Sequence, residues 1–134
     1  MPEIADFVKR RALAVTPSMV DHILRHLPSW KLEFTQINQP LLPHLVQQLE
    51  FLADVVEDVA EGDYKDLPYQ TFAEAVVALM YAHNKIGIIP DFIPNLNYTD
   101  RSSVVRAVLI QHEFTLGVYA GRHGIEWSTI TSEL

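Results

Sequence analysis

Residues 88–99 constrain the fold more than any other stretch, because they are apolar and carry two prolines between two helical patterns. Pro90 and Pro94 lack an N–H and push Ile89 and Ile93 out of the helical region, so the backbone is expected to run extended, turn at Pro90-Asp91 and extend again. Ile88, Ile89, Phe92 and Ile93 need burial, and the available walls are the apolar helical patterns at 69–83 and 100–121. The stretch therefore reads as a stiff loop plugged between two helices. Asp91 is placed to accept backbone N–H groups in a type I turn, Asn97 suits a left-handed position, and Thr99 or Asp100 is placed to cap the next helix.

A helical wall on each side predicts an all-α fold. The chain has 134 residues, 49% of them hydrophobic, which fits one domain with a sizeable core. No cysteine is present, which removes disulfides, thiolate nucleophiles and Cys-type zinc sites and suits a reducing, cytoplasmic compartment. Met1-Pro2-Glu3-Ile4 has no basic segment leading into an apolar one, so a secretory signal is not expected. Neither is a membrane span, since the most apolar run, Ala75 to Ile89, is interrupted by His83, Asn84 and Lys85. A net charge of −7 argues against nucleic acid and anionic lipid surfaces as partners.

Five or six helices are expected. Residues 3–14 read as a helix with Ile4, Phe7, Val8 and Leu13 on one side and Lys9, Arg10 and Arg11 near its C-terminus. Thr16-Pro17 is an N-cap followed by proline at the first helical position, and it opens a helix expected to end at Leu27, before Pro28, with Met19, Val20, Ile23, Leu24 and Leu27 as its core stripe. Trp30, Leu32 and Phe34 alternate as in a strand, but no partner strand exists. A short helix or irregular arm is expected there, with Trp30 or Phe34 available for a dimer contact. Pro40 and Pro43 open the longest helix, which ends near Glu61 with Gly62 beyond it and uses Leu42, Leu45, Leu49, Leu52, Val56 and Val59 as its core face. On its opposite face Glu50, Asp54, Glu57, Asp58 and Glu61 make an acidic ridge that no lysine or arginine of the same helix neutralises. The ridge reads first as a solvated face and second as a surface for a basic protein partner.

The fourth helix, about 68–83, is expected to bury Tyr69, Phe72, Val76, Leu79 and Met80. The last long helix, about 100–120, carries Val104, Val105, Val108, Leu109, Leu116 and Tyr119 on one side and Ala107, Ile110, Phe114 and Val118 on another. Apolar on two sides, it is expected to be the central helix or to cover a dimer interface. Residues 122–134 form a tail in which Trp127 is able to pack back and which from Glu126 on is otherwise polar and expected to fray.

Tyr81, Asn84, Ile89, Pro90, Asp91, Ile93, Pro94, Tyr98 and Asp100 fall on the pattern Tyr-x-x-Asn-Pro-x-Asp-Leu-Ile-Pro-Asp-x-Ile-Pro-x-x-Gly-Tyr-x-Asp-Asp, and residues 62–71 resemble its lead-in. In these residues the chain resembles the YkvA-like family, a bacterial domain of unknown function, over about residues 41–121. The N-terminal helices (1–40) and the tail lie outside the resemblance. The chain departs from the pattern at Lys85, Gly87, Asn97 and Arg101, where the family has proline, aspartate, glycine and aspartate. Relatives look membrane-associated, so peripheral membrane association stays open for this chain.

Chemistry has few candidates. His22 and His26 stand at i,i+4, a spacing able to offer two imidazoles to one metal, but no intervening glutamate and no third ligand accompany them. His83, Asp91, Asp100 and His112 form a geometrically possible cluster for a divalent metal or for acid-base work. Turn bonding, capping and hydrogen-bonded burial explain the same four residues without any activity. No nucleophile elbow, phosphate loop or Glu-x-x-His pair is found. No cofactor is expected. The leading reading is a non-enzymatic protein-interaction or self-association module, a homodimer in its simplest form. A small metal-dependent or acid-base enzyme and a binder of an apolar small molecule between the last two long helices are the alternatives.

Overall fold

The computed structural model describes residues 2–36, 44–83 and 98–131. Among them are seven helices and no strand: α1 (Pro2–Ala12), α2 (Pro17–Phe34), α3 (Leu45–Ala60), α4 (Tyr69–His83), α5 (Tyr98–Gln111), α6 (Glu113–Arg122) and α7 (Trp127–Thr131). Buried side chains from all seven belong to one hydrophobic cluster, so the chain is an all-α bundle around a single core. Residues 88–97 of the expected plug, with Pro90, Asp91, Pro94 and Asn97, lie outside the described residues, as does Asn84, while Tyr98 and Thr99 belong to α5. No described helix is long and apolar enough to cross a membrane.

α2 corrects the expected stop at Leu27. Thr16 does cap it, in extended conformation with its hydroxyl accepting from the Met19 N–H at 3.2 Å, and Pro17 follows. The helix then continues through Pro28 to Phe34. Proline in a helix interior forfeits the bond to the carbonyl four residues back and costs about 3 kcal/mol. Ile23, Leu27, Trp30 and Phe34 stand at i, i+4, i+7 and i+11, and all four are buried. Carrying the helix on buries two aromatic rings worth roughly 1.5–3 kcal/mol each, which offsets the proline. Trp30 and Phe34 are thus core residues and not a dimer contact, whereas Leu32 faces solvent.

α1 buries Ile4, Phe7, Val8 and Ala12. Leu13, expected on that face, is 78% exposed because the helix ends one residue before it. α3 ends with Gly62 at φ +82°, where the Asp63 N–H reaches the Asp58 carbonyl at 2.8 Å and the Gly62 N–H reaches that of Val59 at 3.2 Å. Those two bonds complete a Schellman cap, which a side chain with a Cβ would strain at that φ.

The central helix is α4, not the last one. It buries every residue from Thr71 to Leu79, then Tyr81 and Ala82, and packs against α5, α3, α1 and α2. Ala73, Ala75, Ala78 and Ala82 let those neighbours approach closely. Tyr69, expected in the core, is instead 61% exposed at its first turn, and Met80 is half-buried.

The expected last helix is broken at His112 (φ −115°, ψ 31°) into α5 and α6. α5 begins at Tyr98, so Thr99 and Asp100 lie inside its first turn and not at its cap. The tail is also better held than expected. α7 buries Ile130, whose carbonyl accepts from Gln48 Nε2 at 2.9 Å, and sets Trp127 edge-on to Phe51 with ring centroids 5.7 Å apart.

Candidate functional site

Continuing α2 past Pro28 places a second stripe beside its core stripe. His22, His26, Ser29 and Glu33 follow the same i, i+4, i+7, i+11 spacing one residue earlier in phase, so they run along one edge of the helix. His83, the last residue of α4, meets this edge. Its ring stacks on Trp30 with centroids 4.1 Å apart and planes 17° apart, and its Nε2 lies 2.6 Å from Glu33 Oε2. These residues line an open cavity of about 560 Å³. The His22 and His26 rings sit 4.5 Å apart on its α2 side, both exposed.

In the His83–Glu33 contact the carboxylate only accepts, so the imidazole Nε2–H is the donor. The His83 side chain is 6% exposed, and among the described residues Nδ1 has no hydrogen-bond partner.

His112 sits elsewhere, at the α5–α6 break. Its Nδ1 is 2.9 Å from Thr71 Oγ1, which is 3.3 Å from Thr115 Oγ1. Its Nε2 lies 3.1 Å from Glu74 Oε1, close enough for an ion pair but too poorly aligned for a hydrogen bond. Gln70 Nε2 donates to the other oxygen, Glu74 Oε2, at 2.7 Å. Burial alone pushes the Glu74 carboxyl up, yet the contacts from His112 and Gln70, with the charges of His112 and Lys9, outweigh it and hold the group below its ordinary range. Thr71 and Glu74 are both buried, so this cluster is closed to a substrate.

The proposed quartet therefore does not assemble. Thr71, the partner of His112, and His83 are twelve residues apart on α4, about 18 Å along the axis, so the two imidazoles serve different ends of that helix. Asp91 and the side chain of Asp100 lie outside the described residues. Among the described residues, no three His, Asp or Glu side chains are grouped to hold one metal ion.

The acidic ridge is partly neutralised from other helices. Lys31 of α2 bridges Asp54 at 3.0 Å and also contacts Glu57. Burial pulls the Lys31 ammonium down, but its bonds to Glu57 and Asp54 more than compensate and raise it. Asp58 accepts from the Tyr119 hydroxyl at 2.5 Å and lies 3.4 Å from His123 Nε2. Burial, followed by that bond, pushes the Tyr119 phenol far above its usual range. Asp54, Glu57 and Asp58 thus clamp α3 to α2 and α6, while Glu50 and Glu61 remain exposed. Between the last two long helices, where an apolar ligand site is expected, residues 84–97 lie outside the described residues. A small cavity touching α5, about 180 Å³, lies on its α1 side between Ile4 and Ile110.

One further feature faces solvent. Ile110, Phe114 and Val118, 56%, 82% and 36% exposed, continue along one stripe across the α5–α6 break. Glu33, Glu74 and Thr71 were missed from the sequence. An assumed helix stop at Pro28 hid the first, while a lone carboxylate inside the apolar run from Phe72 to Leu79 was a usable signal for the second. Comparison with family models, curated proteins and solved structures finds no match to this chain.

Proposed function

We propose that this chain is a non-enzymatic helical interaction module that pairs with a second copy of itself through the outer face of α5 and α6. The observation that carries this is the stripe of Ile110, Phe114 and Val118, with Phe114 82% exposed. Burying a phenylalanine recovers roughly 1.5–3 kcal/mol, and three large apolar side chains at i, i+4 and i+8 form a surface able to meet its own copy across a two-fold axis. The closed state of the Glu74–His112 cluster and the separation of His83 from His112 favour this reading over an acid-base enzyme.

On the same footing we take the chain to be a diverged bacterial relative of the YkvA-like family, working in the cytoplasm. Tyr81, Asn84, Pro90, Asp91, Pro94, Tyr98 and Asp100 support the relationship, and the absence of cysteine supports the compartment.

Light scattering tests the assembly. The wild type is expected to approach the mass of two chains at high micromolar concentration, and Phe114→Asp is expected to stay monomeric with an unchanged melt. A wild type that is monomeric there removes the proposal.

A further inference from the structure

The small cavity on α5 and the apolar stripe across the α5–α6 break share a residue. Ser103, Arg106, Ala107 and Ile110 of α5, with Ile4 of α1, line the cavity, and Ile110 is also the first member of the stripe. At about 180 Å³ the cavity has room for a phenyl ring, since one of about 150 Å³ takes up benzene. Phe114, one turn beyond Ile110, is 82% exposed and so does not fill it.

Cavity and ring have opposite charges beside them. Arg106 is the one charged residue lining the cavity, and the exposed Glu113 directly precedes Phe114. An antiparallel pairing of two copies with its two-fold axis beside Ile110 sets residues equally far before and after that position against each other. Phe114 then faces the second copy's Arg106–Ala107 turn, over the cavity, and Glu113 comes beside its Arg106. Gly117 faces its Ser103. A helix interior disfavours glycine, and a Cβ at Gly117 would meet nothing within 4 Å among the described residues, so no packing among them calls for it. A second helix lying across this turn does.

We propose, resting on the self-pairing above, that the cavity between Ile4 and Ile110 is the socket for Phe114 of the second copy, whose Glu113 pairs with Arg106. Each copy supplies one ring and one socket, so the assembly closes at two chains. The charges set direction: a parallel pairing would place Arg106 beside Arg106 and Glu113 beside Glu113.

The chain has no cysteine, so single cysteine substitutions report this geometry by disulfide cross-linking of the full chain. Ile110→Cys, on the axis, is expected to give a covalent dimer on air oxidation. Val118→Cys, about 24 Å from its counterpart in this arrangement, is expected not to. In light scattering, Arg106→Glu and Glu113→Arg are each expected to raise the dimer dissociation constant about tenfold, because each turns two attractions into two repulsions, and the double variant is expected to recover to within about threefold of wild type. Ala107→Phe, which fills the socket, is expected to weaken pairing about as much, with an unchanged circular dichroism spectrum. A wild type that is monomeric at high micromolar concentration overturns the socket together with the self-pairing. A dimer that Phe114→Asp dissociates but that either charge reversal or Ala107→Phe leaves intact, that the double reversal does not restore, or that cross-links as readily through Val118→Cys as through Ile110→Cys keeps the self-pairing and overturns the socket.

Discussion

The two ends of α4 hold the same pair of groups, an imidazole and a carboxylate, in opposite settings. At the N-terminal end Glu74 is enclosed with His112, Gln70 and Thr71, and both imidazole nitrogens have a neighbour within 3.1 Å. At the C-terminal end Glu33 is 57% exposed and the ring it holds keeps one nitrogen without a described partner, beside a cavity. Enclosure converts such a pair into a fastening that cannot be opened without leaving a buried charge alone, whereas exposure leaves it weak for stability and free to act on something else. The chemistry of two residues does not decide between structure and function; their access to solvent does.

The largest test of this contrast is Glu74→Ala. The carboxylate is almost fully buried, and removing it takes the acceptor from Gln70 and the charged neighbour from His112, so the loss is expected to be on the order of 2–3 kcal/mol in urea unfolding. The pH dependence follows in sign. Because the folded-state carboxyl lies below its ordinary value of about 4.5, its contribution is fully present above that pH and fades as pH falls toward the depressed folded value. Glu74→Gln is expected to flatten the acid limb of the stability curve. An unchanged acid limb would show that this end is not closed at all.

Much of the fold was legible because it followed local rules. Thr16-Pro17, Gly62 and the periodic leucines of α3 each state a helix end or face within a few residues, and the structure uses them as read. What was not legible depended on distant partners. Pro28 gives the same local signal as a true helix stop, and only the rings of Trp30 and Phe34, buried a turn or two later, carry the helix through it. The ridge of α3 looked unpaired because Lys31 and Tyr119 come from other helices. The candidate site suffered in the same way: His22, His26 and His83 were each identified, but Glu33, which ties one of them down, lay beyond the assumed stop.

Pro28 sharpens the comparison at intermediate size. It lies inside α2 on the face turned away from the core stripe, exposed and lacking the N–H that would bond to the Leu24 carbonyl. Pro28→Ala restores that donor, though it also frees the unfolded chain, which offsets part of the gain. The net expectation is a stabilisation of about 1–2 kcal/mol, read as a higher melting temperature. If the protein melts lower, Pro28 is instead part of how Trp30 and Phe34 reach the core.

The smallest effect belongs to the open pair itself. Glu33→Gln removes a charge from a contact whose carboxylate is largely in water, where an ion pair contributes about 0–1 kcal/mol because solvent screens it and the long side chain must be held in place. Glutamine keeps an oxygen at the same reach, so His83 Nε2–H retains an acceptor and its stack on Trp30 remains. The expected change in unfolding free energy is therefore within about 0.5 kcal/mol, several times less than for Glu74→Ala, measured on both variants in the same urea series. A loss at Glu33 equal to that at Glu74 would mean that solvent does not screen this pair, and the two ends of α4 would then be two fastenings.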